Sequence, residues 1–303
     1  MSKPVVLISV LNYNNYKSTK ECVTSLLKFH FTGSEILIID NNSPDNSFLD
    51  LKRDFPKLKI HKSKFNGGYA SGHKISVDYA IKNGFEFIWI LNNDLTVRKN
   101  TLQELIIAYK THGIGLYGSI TLKSEDPDIV NFGGGITDDI SKPLNYNDFE
   151  GYSLEEYNQE TEFRKVQSIE GSSFLIPIEI IKKYGFIKED FFMYGEDLDY
   201  SYSLKRQWNI NSFIVPKSVV VHKGGNSLKH IKFLEEYYRR RNFLYFHRTH
   251  YNKSIIKYIL KKIGIINFLK FLALYVIGTK QQNYYFNLGV LHSLLNIKGK
   301  LND

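Results

Sequence analysis

Short apolar runs alternate with stretches of helical spacing along the first part of this chain. Residues 5–11 are almost wholly apolar and short enough for a buried strand, and Asn12-Tyr13-Asn14 follows abruptly. Residues 18–29 set Cys22, Val23, Leu26 and Leu27 at the spacing of one helix face. Residues 35–39 predict a second strand, ending in Asp40-Asn41-Asn42-Ser43, and residues 58–61 a short third. A helix is expected from about residue 71 to 82, a strand over 85–91, and a helix from about 101 to 109. Such alternation predicts an α/β fold with one doubly wound, mostly parallel sheet flanked by helices. Three expected strands end in polar clusters: Asn12-Tyr13-Asn14, Asp40-Asn41-Asn42 and Asn92-Asn93-Asp94. In a parallel sheet these ends share one edge, where such folds bind ligands.

The pattern then weakens. Gly133-Gly134-Gly135 and residues 141–160 are polar, aromatic and weakly periodic, which predicts a loop-rich insertion suited to substrate contacts. Order returns at 166–169 and continues through Glu170-Gly171-Ser172-Ser173 to Pro177. A helix over 178–184 ends at Gly185, a residue suited to a C-cap. Glu196-Asp197-Leu198-Asp199 opens a helix that runs to about Gln207. Residues 210–215 and 218–221 predict two strands, the second followed by His222-Lys223-Gly224-Gly225-Asn226-Ser227. A helix over 232–250 carries Arg239-Arg240-Arg241. Residues 254–278 mix apolar positions with Lys257, Lys261, Lys262 and Lys270. A spanning helix wants about 20 mainly apolar residues, and the longest clean run here is 271–277. The segment therefore predicts an amphipathic helix on an anionic leaflet, with a dimer interface as the alternative.

Composition adds three constraints. The 303 residues suffice for one large domain with an appendage. Cys22 is the only cysteine, so no intrachain disulfide forms, which fits a reducing cytosol; no signal-peptide pattern is read at the start. The net charge of +9 is concentrated late: residues 229–300 hold 14 Lys or Arg against Glu235 and Glu236. A basic tail on a near-neutral body points to lipid headgroups, because the body lacks the basic face and motifs of a nucleic-acid binder.

Several chemistries are excluded by absence. No Gly-x-Gly-x-x-Gly follows the first strand, and neither a Gly-x-x-x-x-Gly-Lys-Ser/Thr loop nor a Gly-x-Ser-x-Gly elbow occurs. Asp94 is the only charge in Leu91-Asn92-Asn93-Asp94; it suits a divalent cation, or the stretch is a turn capping the next helix. Asn66-Gly67-Gly68 precedes a helix, whose N-terminus favours anions. Glu196, Asp197 and Asp199 crowd three carboxylates into four residues, either a well-capped helix start or a general base with neighbours that tune it. His222 is either a satisfied polar residue or an imidazole joining Asp94 on one cation.

Taken together, the motifs resemble family-2 inverting glycosyltransferases of the GT-A fold, particularly the rhamnosyltransferase-like branch of bacterial polysaccharide synthesis. The matching pieces are Leu11-Asn12-Tyr13-Asn14, Ile39-Asp40-Asn41-Asn42-Ser43, Asn66-Gly67-Gly68-Tyr69-Ala70-Ser71-Gly72 and Leu91-Asn92-Asn93-Asp94. Further matches are Phe192-Met193-Tyr194-Gly195-Glu196-Asp197-Leu198-Asp199, His222-Lys223-Gly224-Gly225-Asn226-Ser227 and Arg240-Arg241-Asn242-Phe243. The resemblance implies a catalytic domain over 1–228, with a nucleotide half to about 110 and an acceptor half beyond it, and a helical extension over 229–303. It implies that Asp40 reads a pyrimidine edge beside Asn12 and Tyr13. Asn14, Asn41, Asn66, Gly67, Gly68, Gly72, Asn92 and Asn93 complete the donor site, and Arg241 is either a diphosphate contact or a surface arginine. Asp94 and His222 would hold Mg²⁺ or Mn²⁺. Asp197 would be the base, with Glu196 and Asp199 supporting it or touching the acceptor. The implied donor is dTDP-L-rhamnose or a UDP-hexose, and the acceptor a glycan or lipid-linked glycan of O-antigen or capsule. The implied location is the cytoplasmic face of the inner membrane. A non-catalytic nucleotide-sugar-binding scaffold is the alternative function.

Overall fold

A computed structural model describes residues 5–136, 146–147, 149–160, 163–223, 232–251 and 281–301. β1 (Val6–Asn12) leads into α1 (Tyr16–Phe29), β2 (Ser34–Asp40) into α2 (Ser47–Asp54), and β3 (Lys59–Lys62) into α3 (Gly68–Asn83). β4 (Phe87–Asn92) and β5 (Leu95–Val97) precede α4 (Thr101–His112), β6 (Gly115–Lys123) and β7 (Val130–Phe132). A small pair, β8 (Gly135–Ile136) and β9 (Tyr146–Asn147), comes before α5 (Leu154–Glu160), β10 (Arg164–Val166), β11 (Ser173–Pro177) and α6 (Ile178–Tyr184). One 3₁₀ turn (Glu189–Phe191) then opens the way to α7 (Glu196–Trp208), β12 (Asn211–His222), α8 (Lys232–Tyr251) and α9 (Gln281–Leu294).

The main sheet runs β10-β12-β6-β11-β4-β1-β2-β3, with β5 paired to β12 and β7 to β6. β1 to β4 are mutually parallel, β6 and β12 are parallel, and β11 lies antiparallel between β4 and β6. This is the mostly parallel, helix-flanked sheet expected of the GT-A fold. Both faces are buried, which is why its strands read as continuous apolar runs. Leu7, Ile88 and Ile90 pack on one side with Val77 of α3 and Leu204 of α7. Ile8, Val10, Trp89 and Leu91 pack on the other with Leu26 of α1 and Leu105 of α4.

Several elements differ from expectation. α2 and β5 are short and carried no clear periodicity. β6 was hidden because it holds glycines and hydroxyls, and the packing requires them. A Cβ at Gly118 would sit 2.2 Å from Ile169, and Ser119 Oγ lies 2.9 Å from Ser173 Oγ and 2.8 Å from Ser218 Oγ. The two strands expected over 210–221 are one strand, β12, whose register shifts between Val215 and Val219. Pro216 and Lys217 occupy that irregularity, so the break in pattern is a bulge rather than an end. The insertion expected to be loop-rich contains α5 and β9.

α8 covers the helix expected over 232–250, and Leu244 of α8 packs with Val290 of α9. Gly224-Gly225-Asn226-Ser227 and the amphipathic stretch 254–278 lie outside the described residues. Among the described residues, no helix is long and apolar enough to cross a membrane.

Candidate active site

Register brings the polar strand ends together. Asn12 stands opposite Asp40, and Leu11 opposite Asn92. Asn12 Nδ2 donates to Asp40 Oδ2 at 2.7 Å and to Ser43 Oγ at 3.1 Å. Ser43 donates its hydroxyl to Asp40 Oδ2 at 2.6 Å and its amide to Oδ1 at 3.0 Å. Asn12 Oδ1 accepts from Thr19 Oγ1 at 2.6 Å, and Asn93 Nδ2 donates to Thr19 Oγ1 at 2.8 Å. Asn12 and Asp40 have no exposed surface, whereas Tyr13 is 36% exposed on the rim. Asn14, at φ 49, donates its amide to Ser43 Oγ. In this arrangement Asp40 forms the floor of the edge and does not reach outward to a pyrimidine; Tyr13 is the open residue.

The glycine stretch is likewise built inward. Asn41 Nδ2 donates to Asn66 Oδ1 and to Gly68 O, both at 3.0 Å. Asn66 Oδ1 accepts the Gly68 amide at 3.0 Å, and the Tyr69 amide donates to Phe192 O at 2.9 Å. Two amides at the start of α3 are thus already occupied, which removes them from the expected phosphate cradle. Gly68 has φ +84, and a Cβ there would lie 2.1 Å from Phe192 O. Cβ atoms at Gly67 and Gly72 would lie 2.4 Å from Ser71 Oγ and from Leu11. These glycines let α3 approach β1 and the loop that precedes α7.

The third strand end meets His222. β5 pairs antiparallel with β12, placing Leu95 opposite His222, and the Lys223 amide donates to Asp94 O at 3.0 Å. His222 Nε2 then lies 3.2 Å from Asp94 Oδ1, with both side chains mostly buried. Burial disfavours the imidazolium, but Asp94 and the more distant Glu170 outweigh it and raise the His222 pKa to about 9. Asp94 Oδ1 has this ion pair as its one contact, and the other ring nitrogen, His222 Nδ1, is buried without a hydrogen-bond partner among the described residues. One oxygen and one nitrogen this close suit one small divalent cation, whose bonds to such atoms run about 2.0–2.2 Å. Among the described residues no cluster of three His, Cys, Asp or Glu forms a metal site, so other positions on that ion would fall to water and ligand oxygens. Asn92 is tied through its backbone amide to Ser172 O at 2.8 Å.

The carboxylate pair opens α7. Glu196 is 7% exposed and its Oε2 has no partner among the described residues. Burial, then the charge of Asp197, pushes the Glu196 pKa to about 8. Asp197 is half-buried; its Oδ2 accepts the Gly171 amide at 2.6 Å and its Oδ1 the Leu198 amide at 2.7 Å. Burial raises its pKa more than those amides lower it. The Tyr69 hydroxyl donates to Gly171 O, so the peptide that holds Asp197 is itself held.

Two expected site residues are tied elsewhere among the described residues. Asp199 is 2% exposed, with Lys188 Nζ at 3.0 Å and His250 Nε2 at 2.6 Å, so it anchors α8 and does not face an acceptor. Arg241 is also 2% exposed; it donates to Phe191 O at 2.7 Å and Gly299 O at 2.6 Å, and is no diphosphate contact in this arrangement. The arginine facing the carboxylate pair is Arg239, whose guanidinium lies 4.2 Å over the Tyr194 ring and whose charge lowers the Glu196 pKa. Glu170 was missed. Its Oε2 accepts from Ser172 Oγ at 2.7 Å and Thr121 Oγ1 at 3.1 Å, and its field reaches both His222 and Asp197. A carboxylate at the end of an ordered run, directly before glycine, was the available signal.

A family model described as Glycosyl transferase family 2 matches residues 7–185. The low-salt glycan biosynthesis hexosyltransferase Agl10 of Haloferax volcanii is 27% identical over 207 residues, 65% of this chain. The match spans 61% of that relative's length. The mannosyltransferase PcManGT from Pyrobaculum calidifontis, solved with GDP-Man and Mn²⁺, superposes at TM-score 0.60 with 13% identity, covering 98% of this chain and 88% of that one. GalNAc-T7, solved with UDP, GalNAc and Mn²⁺, superposes at TM-score 0.58 with 17% identity, covering 86% of this chain and 57% of that one.

Proposed function

Because the chain belongs to glycosyl transferase family 2, we propose that it moves a sugar from a nucleotide-sugar to a glycan or lipid-linked glycan acceptor with inversion. The observation that carries this reading is the buried Glu196–Asp197 pair, which shares its surroundings with the Asp94–His222 pair through Glu170. The role of base falls to Asp197. Burial and the neighbouring charge raise the Glu196 pKa to about 8, so it keeps its proton at neutral pH, and the charge is assigned to its neighbour. Two amides fix the Asp197 carboxylate in place. It takes the proton of the acceptor hydroxyl as that oxygen attacks the anomeric carbon, opposite the departing diphosphate.

Asp94 and His222 would hold Mg²⁺ or Mn²⁺, a reading supported by the 3.2 Å approach of His222 Nε2 to Asp94 Oδ1 in a mostly buried setting. A cation bound there would neutralise charge on the leaving diphosphate. The Haloferax relative is named a hexosyltransferase, which supports a hexose as the sugar; the donor is dTDP-L-rhamnose or a UDP-hexose. We assign catalysis to 1–228. The basic residues of 229–303 support a location on the cytoplasmic face of a membrane, in the assembly of surface polysaccharide. Vesicle sedimentation tests that location: binding to anionic but not neutral vesicles supports it, and a dimer without binding supports the alternative.

The functional test is a thermal-shift screen of UDP-, GDP- and dTDP-sugars with and without Mn²⁺, followed by measurement of nucleoside diphosphate release. A metal-dependent rise in melting temperature with turnover is the expected result. A rise without turnover in the presence of glycan acceptors would favour the non-catalytic scaffold.

A further inference from the structure

The residues ahead of the carboxylate pair are held in an unusual backbone path. Phe192 has φ 66 and ψ −56, Tyr194 has φ 66, and Gly195 has φ 90. The Phe192 values are those of a strained three-residue turn, and positive φ is uncommon for aromatic residues. Such a path persists only where its surroundings enforce it. Here the enforcement converges on one side chain. Asn242 of α8 is 1% exposed, and its Nδ2 lies 3.0 Å from Phe191 O, 2.8 Å from Met193 O and 2.8 Å from Tyr194 O. Arg241 Nε donates to Asn242 Oδ1 at 2.9 Å, which fixes the amide with its nitrogen toward the loop. From the opposite side the Tyr69 amide bonds Phe192 O at 2.9 Å.

We propose that Asn242 is a positioning residue: its amide gathers three carbonyls of the 191–195 loop and thereby sets where Glu196 and Asp197 stand. The role rests on the reading of that pair as the reacting carboxylates. It demands a donor on a short side chain. An aspartate of the same shape would turn a carboxylate oxygen toward three carbonyl oxygens, and alanine would remove the bond to Met193 O and Tyr194 O while Phe191 O kept Arg241.

The test uses the full chain as wild type, Asn242→Ala, Asn242→Asp, Asn242→Ser and Asp197→Asn. Activity is nucleoside diphosphate release with Mn²⁺ from whichever of UDP-glucose, GDP-mannose and dTDP-L-rhamnose the wild type turns over fastest. Amide hydrogen exchange is followed in parallel. Asn242→Ala should lower kcat about 10–100-fold, the scale of a small misplacement, with the donor KM held. Asn242→Asp should lose at least as much, and Asn242→Ser, which keeps one donor, should recover part of the rate. Exchange should quicken over 191–198 and stay unchanged in β1 and β4. The role is overturned if folded Asn242→Ala or Asn242→Ser keeps wild-type kcat, or if the faster exchange spreads along α8 and spares the loop. If Asp197→Asn also keeps the wild-type rate, the catalytic reading falls and takes this role with it. If Asp197→Asn loses activity while the Asn242 variants keep theirs, only the positioning role falls.

Discussion

Two groups of buried polar side chains share one edge of the sheet, and they differ in how their bonds are completed. Around Asn12, Asp40 and Ser43, donors meet acceptors within the chain at 2.6–3.1 Å. Around Asp94, His222 and Glu196 the bonding is incomplete: Asp94 Oδ1 meets His222 Nε2 at 3.2 Å, while His222 Nδ1 and Glu196 Oε2 have no hydrogen-bond partner among the described residues. Buried polar atoms in folded proteins are nearly all paired, so the exceptions ask for an explanation. The completed network fits a scaffold role, and the incomplete one leaves room for a ligand to finish the bonding, although buried atoms without a partner also occur elsewhere among the described residues, as at Ser76 Oγ and Ser212 Oγ. Asp40 and Asp94 both follow a parallel strand into the same edge, yet residue type and position do not give them the same work.

The sharpest way to break the comparison is at Asp197. Asp197→Asn keeps the shape and removes the proton acceptor, so kcat should fall about 10²–10⁴-fold, the usual contribution of a general base. Donor KM should stay nearly constant, because the loss is confined to the transition state. Steady-state kinetics on both carboxamide variants decide the register of the motif: a dead Glu196→Gln beside an active Asp197→Asn would make Glu196 the base.

The scaffold side should fail differently. Asp40→Ala removes one of the two partners of the Asn12 amide and the acceptor of both the Ser43 hydroxyl and the Ser43 backbone N–H. Each unpaired buried donor costs about 1–3 kcal/mol, so denaturant titration should show a loss of several kcal/mol of folding stability. Unchanged stability with lost nucleotide binding would move Asp40 from floor to contact.

A smaller effect is expected at the cation pair. Asp94→Ala should weaken Mn²⁺-dependent donor binding by about 10–100-fold, the loss seen when metal-site partners are removed. His222→Ala should do the same more mildly. Calorimetry with and without EDTA checks both; wild-type affinity in EDTA for either variant removes the pair from the metal site.

The smallest effect is a slope. Between pH 4.5, the ordinary value for a glutamate, and about 8, the folded chain keeps a proton on Glu196 that the unfolded chain has released. Stability from this group is therefore greatest below that window and is lost as pH rises through it. Glu196→Gln removes the titration, so its melting temperature should gain on wild type from pH 5 to 8. Parallel curves would show that Glu196 stands in water.

Much of the edge was legible because burial on two faces leaves a plain record. Residues 5–11, 35–39 and 85–91 are apolar but for Ser9, Glu35 and Glu86, and the polar residues that end each run mark where the sheet meets solvent. What escaped was decided by small residues and remote partners. β6 looks unlike a core strand because Gly118 and Ser119 fit against Ile169, Ser173 and Ser218. Glu170 carried no motif, and its place became visible only once Gly171 was seen holding Asp197.

By itself, then, the amino-acid order determined a parallel α/β sheet and the gathering of Asn12, Asp40 and Asn92 at one edge, because strand direction and side-chain alternation are local properties. Tertiary structure decided which charges face a ligand. The pairing of β5 with β12 brings His222 to Asp94, while α8 turns His250 toward Asp199 and draws Arg241 inward to Phe191 O and Gly299 O. A charge goes where its partners are, and those partners lie on segments distant in the chain that only folding brings within reach.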